Sequence, residues 1–185
     1  NMHNDVNSNP LYYEKIHKLL FKFATPSIIS LLVGALYNIV DQMFIGQGVG
    51  IRGNAATNVA FPLTTICVSI SLFLGLGGAS SYSLLLGRGE KEKASTIIGN
   101  TISLAFIFSI ILTIIVKIFV KNIMYIFGST EEVLSYAIEY SSITSTGFLP
   151  FIFSSMMSHI IRADGNPRYS MMSVLSGAIV NTILD

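Results

Sequence analysis

The chain has 185 residues, of which 51% are apolar and only 11% charged, against the ~25% charged residues that cover a soluble domain of this size. That deficit, with a mean hydropathy of +0.65, implies a surface facing lipid. A net charge of +1 lacks the clustered basic excess of a nucleic-acid binder. The lone cysteine, Cys67, excludes an intrachain disulfide and a thiolate zinc site, and His3, His17 and His159 are too scattered to suggest another metal site.

Residues 1–14 read as a flexible polar tail, Asn-rich as far as Pro10. No cleaved leader is expected, because the first apolar run is too long for one and no A-x-A site follows it. Residues 15–185 read as a partial bundle of transmembrane helices that breaks off within its fifth span.

A membrane-crossing helix needs ~20 mostly apolar residues. Span one is expected over 23–46, span two over 59–86 and span three over 96–116. Span four falls within 133–161, and span five starts near Tyr169. Runs this long favour an all-α fold. Pro26, Pro62 and the Gly147–Pro150 stretch are candidate kinks.

Between spans three and four, Ser129-Thr130-Glu131-Glu132 has capping-box spacing, so a helix should start there. From Thr130 to Arg162 it would be ~50 Å long, more than the hydrocarbon core. Its first turns, with Glu131, Glu132 and Glu139, should then stand in water.

Eight basic residues (Lys15, Lys18, Lys22, Arg88, Lys91, Lys93, Arg162, Arg168) fall on one side of this layout, and Arg52, Lys117 and Lys121 on the other. The positive-inside rule makes the first side cytoplasmic, N-terminus included, and puts 47–57 and 121–132 outside. With no Trp, Tyr37, Tyr82, Tyr125, Tyr136, Tyr140 and Tyr169 are left to form any aromatic belt.

Charges inside spans are costly and therefore functional candidates. There are two, Asp41 and Asp185. They lie ~28 Å and ~26 Å from the inner flanks marked by Lys22 and Arg168, so their depths match. Asn38 and Tyr37 precede Asp41 by about one turn, and Asn181 precedes Asp185 likewise. Two carboxylates facing one cavity beside amides can share a proton, or hold Na⁺, because like charges in a low dielectric cannot both ionise cheaply. A plain interfacial role for Asp41, near the glycines of IGQGVG, is the alternative.

The stretch Gly75, Gly77, Gly78, Ala79, Ser80, Ser81 reads as a small-residue packing surface, since no strand precedes it and no P-loop Lys follows. Ser154 and Met157, with Tyr37 and Asn38, are candidates to line a cavity, though packing is the commoner role for such Met residues. His159 reads as an interfacial histidine rather than a proton relay.

Three stretches, LYNIVDQMFIG (36–46), GGASSYSLLLGRGEKEKA (77–94) and IIRADGNPRYSMM (160–172) leading to NTILD, resemble multidrug and toxic compound extrusion (MATE) transporters in order and spacing. The resemblance implies the N-terminal part of a two-bundle antiporter of the bacterial plasma membrane. Such an antiporter exports amphipathic, often cationic compounds against inward H⁺ or Na⁺, with no other cofactor. It also implies that Asp41, Asn181 and Asp185 form the cation site, Na⁺ included, and that a C-terminal bundle of the same protein is the missing partner, without which a polypeptide ending at Asp185 should not transport. Small-molecule substrates and the bilayer are the other expected partners. A lipid-linked oligosaccharide flippase of the same superfamily stays open; an intramembrane aspartyl enzyme fits less well, because no YD or GxGD motif surrounds either aspartate.

Overall fold

The computed structural model describes residues 15–184, apart from the side chains of 181, 182 and 184. The expected tail over 1–14 and Asp185 lie outside the described residues. Within them, the regular structure is helical: α1 (Ile16–Gly48), α2 (Ile51–Gly87), α3 (Lys91–Ile126), α4 (Glu131–Thr144), α5 (Phe148–Ala163) and α6 (Pro167–Leu184). A 3₁₀ turn, Ser145–Gly147, joins α4 to α5.

The first three helices are long and apolar enough to cross a membrane. At 33, 37 and 36 residues they extend well past the expected spans. Each is ~50–55 Å long against a hydrocarbon core of ~30 Å, so their ends stand in the headgroup layer or beyond. Much of the stretches 47–57 and 121–132, expected as loops, is therefore helix. Arg52, Lys117 and Lys121 do not stop a helix; they ride on it.

Glycine stops it. Gly50, Gly89, Gly128 and Gly165 all take positive φ, between 77° and 88°, in the turns between helices. After α2, α3 and α5 the turn closes by a Schellman pair: Glu90 N–H to the Leu85 carbonyl with Gly89 N–H to Leu86, and its counterparts at Gly128–Ser129 and Gly165–Asn166.

The expected fourth span is two helices end to end. Thr113 of α3 donates a hydrogen bond to the Ser145 carbonyl at 3.2 Å, serving a group that the break withdraws from regular helix. The kink thus falls beside Gly147, as its sequence suggests. The capping box does not form. Thr130, not Ser129, occupies the N-cap, without a side-chain bond, so Glu132 falls one position short of the box; Glu131 accepts a hydrogen bond from the Tyr125 hydroxyl at 3.0 Å.

The core is built by α2, α3, α4 and α5, through Leu63, Cys67, Leu74, Val116, Met124, Ile152 and Met156. Close approach depends on small residues. A Cβ on Gly78 would lie 2.8 Å from the Thr101 hydroxyl of α3, and one on Gly75 would lie 3.2 Å from the Met156 backbone of α5. Gly77, in contrast, has open space around it, and Ser80 is exposed with its hydroxyl turned to the Leu76 carbonyl. The expected small-residue surface is real but narrower, confined to the inward positions.

α1 packs chiefly on α6, beside this core. Both run from the basic end of the molecule, so they form a parallel pair. At that end Tyr82 donates to the Asp164 carboxylate at 2.7 Å, and Ser170 of α6 joins Ser158 (2.5 Å) and the Arg162 Nε (2.9 Å) of α5. Elsewhere the surface is lined by exposed Leu, Ile and Phe, such as Leu31, Phe73 and Ile118. Hydroxyls among them, including Ser27, Thr65 and Ser69, bond to carbonyls one turn back, which satisfies them within the helix.

Candidate cation site

Asp41 is half-buried in the last third of α1, inside the one helix whose buried residues are only Pro26 and Ser30. Its carboxylate lies within electrostatic reach of the half-buried Tyr140 on α4. The next residue, Gln42, accepts a hydrogen bond from the buried Thr57 of α2 at 3.2 Å; that hydroxyl also meets the Asn54 carbonyl at 2.9 Å. Asn54 carries a buried side-chain oxygen with no hydrogen-bond partner. Gly46 makes room for it, since a Cβ there would come within 2.8 Å of the Asn54 amide nitrogen. The C-terminal end of α1 and the N-terminal end of α2 thus meet in a polar patch: Asp41 and Gln42 on one helix, Asn54 and Thr57 on the other, with Tyr140 near Asp41.

The other sequence candidates scatter. Tyr37 lines a groove of about 420 Å³ between α1 and α6, with Val33, Leu36 and Val40 on one wall and Leu175, Ile179 and Ile183 on the other. Asn38 is exposed, and its amide donates to the Gly34 carbonyl at 2.8 Å on its own helix. Ser154 is exposed and bonds back to the Phe151 carbonyl, whereas Met157 packs against the core. His159 is half-buried and packs over Gly75.

Asn181 falls in helical backbone on α6 with its side chain undescribed, and Asp185 is outside the described residues. Their sequence neighbour Ile183 nevertheless shares one groove with Val40, the residue before Asp41. The far ends of α1 and α6 therefore stand side by side.

Sequence reasoning missed Gln42, Asn54, Thr57 and Tyr140. Asn54 and Thr57 fell in a stretch expected to be loop, where helical register carries no information. Tyr140 was visible only as a member of an aromatic belt.

A family model, MatE, matches residues 26–185. The multidrug export protein MepA of Staphylococcus haemolyticus is 28% identical over 178 residues, covering 94% of this chain and 39% of the relative. An FAD transporter of Shewanella oneidensis is 26% identical over 170 residues, covering 92% of this chain and 37% of the relative. Among solved structures, a ligand complex of the MATE multidrug transporter DinF-BH superposes with a TM-score of 0.86 at 35% identity, over 92% of this chain and 38% of that one. The chain thus spans well under half the length of these relatives, all of them named as transporters rather than enzymes. With the family match covering most of its length, on a helical fold whose surface is made for lipid, the chain belongs to the MATE family of multi-pass membrane transporters.

Proposed function

We propose that this polypeptide supplies the N-terminal bundle of a secondary efflux transporter, exporting drugs or other amphipathic compounds in exchange for H⁺ or Na⁺. The observation that carries the reading is the position of Asp41: a half-buried carboxylate in an apolar helix that packs on α6, within electrostatic reach of Tyr140 of α4 and one residue from the Gln42–Thr57 hydrogen bond to α2. A carboxylate held there costs several kcal/mol unless a proton or cation attends it. Asp185 and Asn181, at the end of the neighbouring helix, are the partners that would share the ion. The MepA and DinF-BH relatives favour drug-like cargo.

Asp41→Asn keeps the side-chain volume and removes the charge. In vesicles of the full-length protein it should reduce ion-driven efflux to background while the protein inserts and folds normally, and Asp185→Asn should do the same. Efflux by both variants with unchanged pH and Na⁺ dependence would sink the assignment.

A second reading concerns cargo alone. The FAD transporter among the relatives favours a large anionic, nucleotide-like compound carried by the same scaffold. Counterflow assays with FAD against a cationic dye separate the two.

The basic end is proposed to face the cytoplasm of a bacterial plasma membrane. Cysteines placed at Glu92 and Asn166 should then resist an impermeant thiol reagent in intact cells, and one at Asn122 should react. The native Cys67 is buried and adds little background.

A further inference from the structure

Where α1 and α6 begin, side by side, they leave a groove of about 600 Å³ whose mouth carries three basic residues, Lys18 and Lys22 from α1 and Arg168 from the first turn of α6. Its lining is otherwise mostly apolar, with Phe21, Ile29 and Met171. Lys18 and Lys22 are one helical turn apart, so both ammonium groups reach the same opening. Both helices also start here, and the positive ends of their dipoles add to the field.

Below the mouth the groove runs on. Val33 follows Ile29 by one turn on α1, and Leu175 follows Met171 by one turn on α6, and both line the apolar groove between the same two helices. The seam is a cationic opening over a continuous apolar track. From Lys22 to Val33 it spans ~16 Å, about half the ~30 Å hydrocarbon core and thus the depth of one leaflet.

We propose that this seam is a binding site for an anionic phospholipid of the inner leaflet, its phosphate held among Lys18, Lys22 and Arg168 and an acyl chain lying along α1 and α6. Charge complementarity selects the ligand. A cationic drug is repelled at the mouth, and a free phosphate would leave the apolar track unfilled. Basic pockets between helices at the cytoplasmic face suit such headgroups, because the anionic leaflet raises their local concentration. The site lies at the opposite end of α1 from Asp41 and is separate from the ion site. It rests on the proposed orientation: were the basic end outside, the same seam would meet the outer leaflet, and thiol labelling would report that error independently of lipid binding.

The test uses the full-length protein with a photoreactive residue at Thr25, an exposed position in the groove. It is placed in nanodiscs of equal parts phosphatidylcholine and phosphatidylglycerol. Irradiation followed by mass spectrometry should find phosphatidylglycerol adducts outnumbering phosphatidylcholine adducts about fivefold, a preference that even one basic contact can provide. The Lys18→Gln, Lys22→Gln, Arg168→Gln triple variant should lose this enrichment with unchanged thermal unfolding, and Arg52→Gln, Lys117→Gln, Lys121→Gln should keep it. Adducts in proportion to bulk lipid would overturn the proposal. So would cross-links to another segment of the polypeptide, or displacement of the lipid by millimolar inorganic phosphate.

Discussion

α1 and α2 are alike in sequence terms: both are long, both are apolar and both carry an internal proline. Their packing differs threefold. In the most apolar stretch of α2, 33% of residues are buried, against 11% for α1. Gly53, Ala56, Ala60, Leu63, Cys67, Ser71, Leu74 and Gly78 recur every three or four positions along α2 and let α3, α4 and α5 close on it. α1 has no such stripe, and its Gly34 meets nothing within 4 Å. In lipid, where tails are as apolar as leucine, a helix is held by close contact rather than by hydrophobicity. The lesson is that apolar character places a helix in the membrane, while small-residue periodicity decides whether it joins the core.

The contrast can be broken first at its strongest point. Ile152 is fully buried in α5, so Ile152→Ala should cost ~2 kcal/mol or more, at the low end for such cavities because lipid supplies little transfer free energy. Leu31→Ala, on the exposed face of α1, should stay within ~0.5 kcal/mol. Thermal unfolding of both purified variants decides it, and equal losses would erase the distinction. Glycine gives the next test. Gly78→Ala drives a methyl into Thr101 and should cost ~1–3 kcal/mol, whereas Gly34→Ala should be neutral or slightly stabilising. The smallest effect belongs to the helix break. Thr113→Val removes the donor to Ser145 and should lose ~0.6–1 kcal/mol, with faster amide exchange confined to the 3₁₀ turn.

Much of this was legible in the chain itself. The helices follow from uninterrupted apolar runs, and the kink from Gly147 and Pro150. Helix ends were misjudged because Arg52, Lys117 and Lys121 were taken as loop markers, whereas the stops lie at Gly50 and Gly128. Positive φ at those glycines is a local cue that charge counting overlooks. Asp41 stood out as a charge within an apolar helix. Its surroundings did not, because Tyr140 comes within its reach, and Thr57 and Asn54 come up to the neighbouring Gln42 and Gly46, only through the approach of α2 and α4, which no local pattern encodes. The capping box failed because the helix starts one residue later than the spacing assigns: with Thr130 as N-cap, Glu132 stands at the second helical position instead of the third.

The left-handed glycines make the connections very short, limited to 49–50, 88–90, 127–130 and 164–166. Such turns offer a protease almost no extended strand to grip, and an antibody almost no loop to enclose. Among the described residues, reagents raised against the folded chain will therefore meet helix tips, and an epitope tag inserted at a turn must bring its own spacer to be seen.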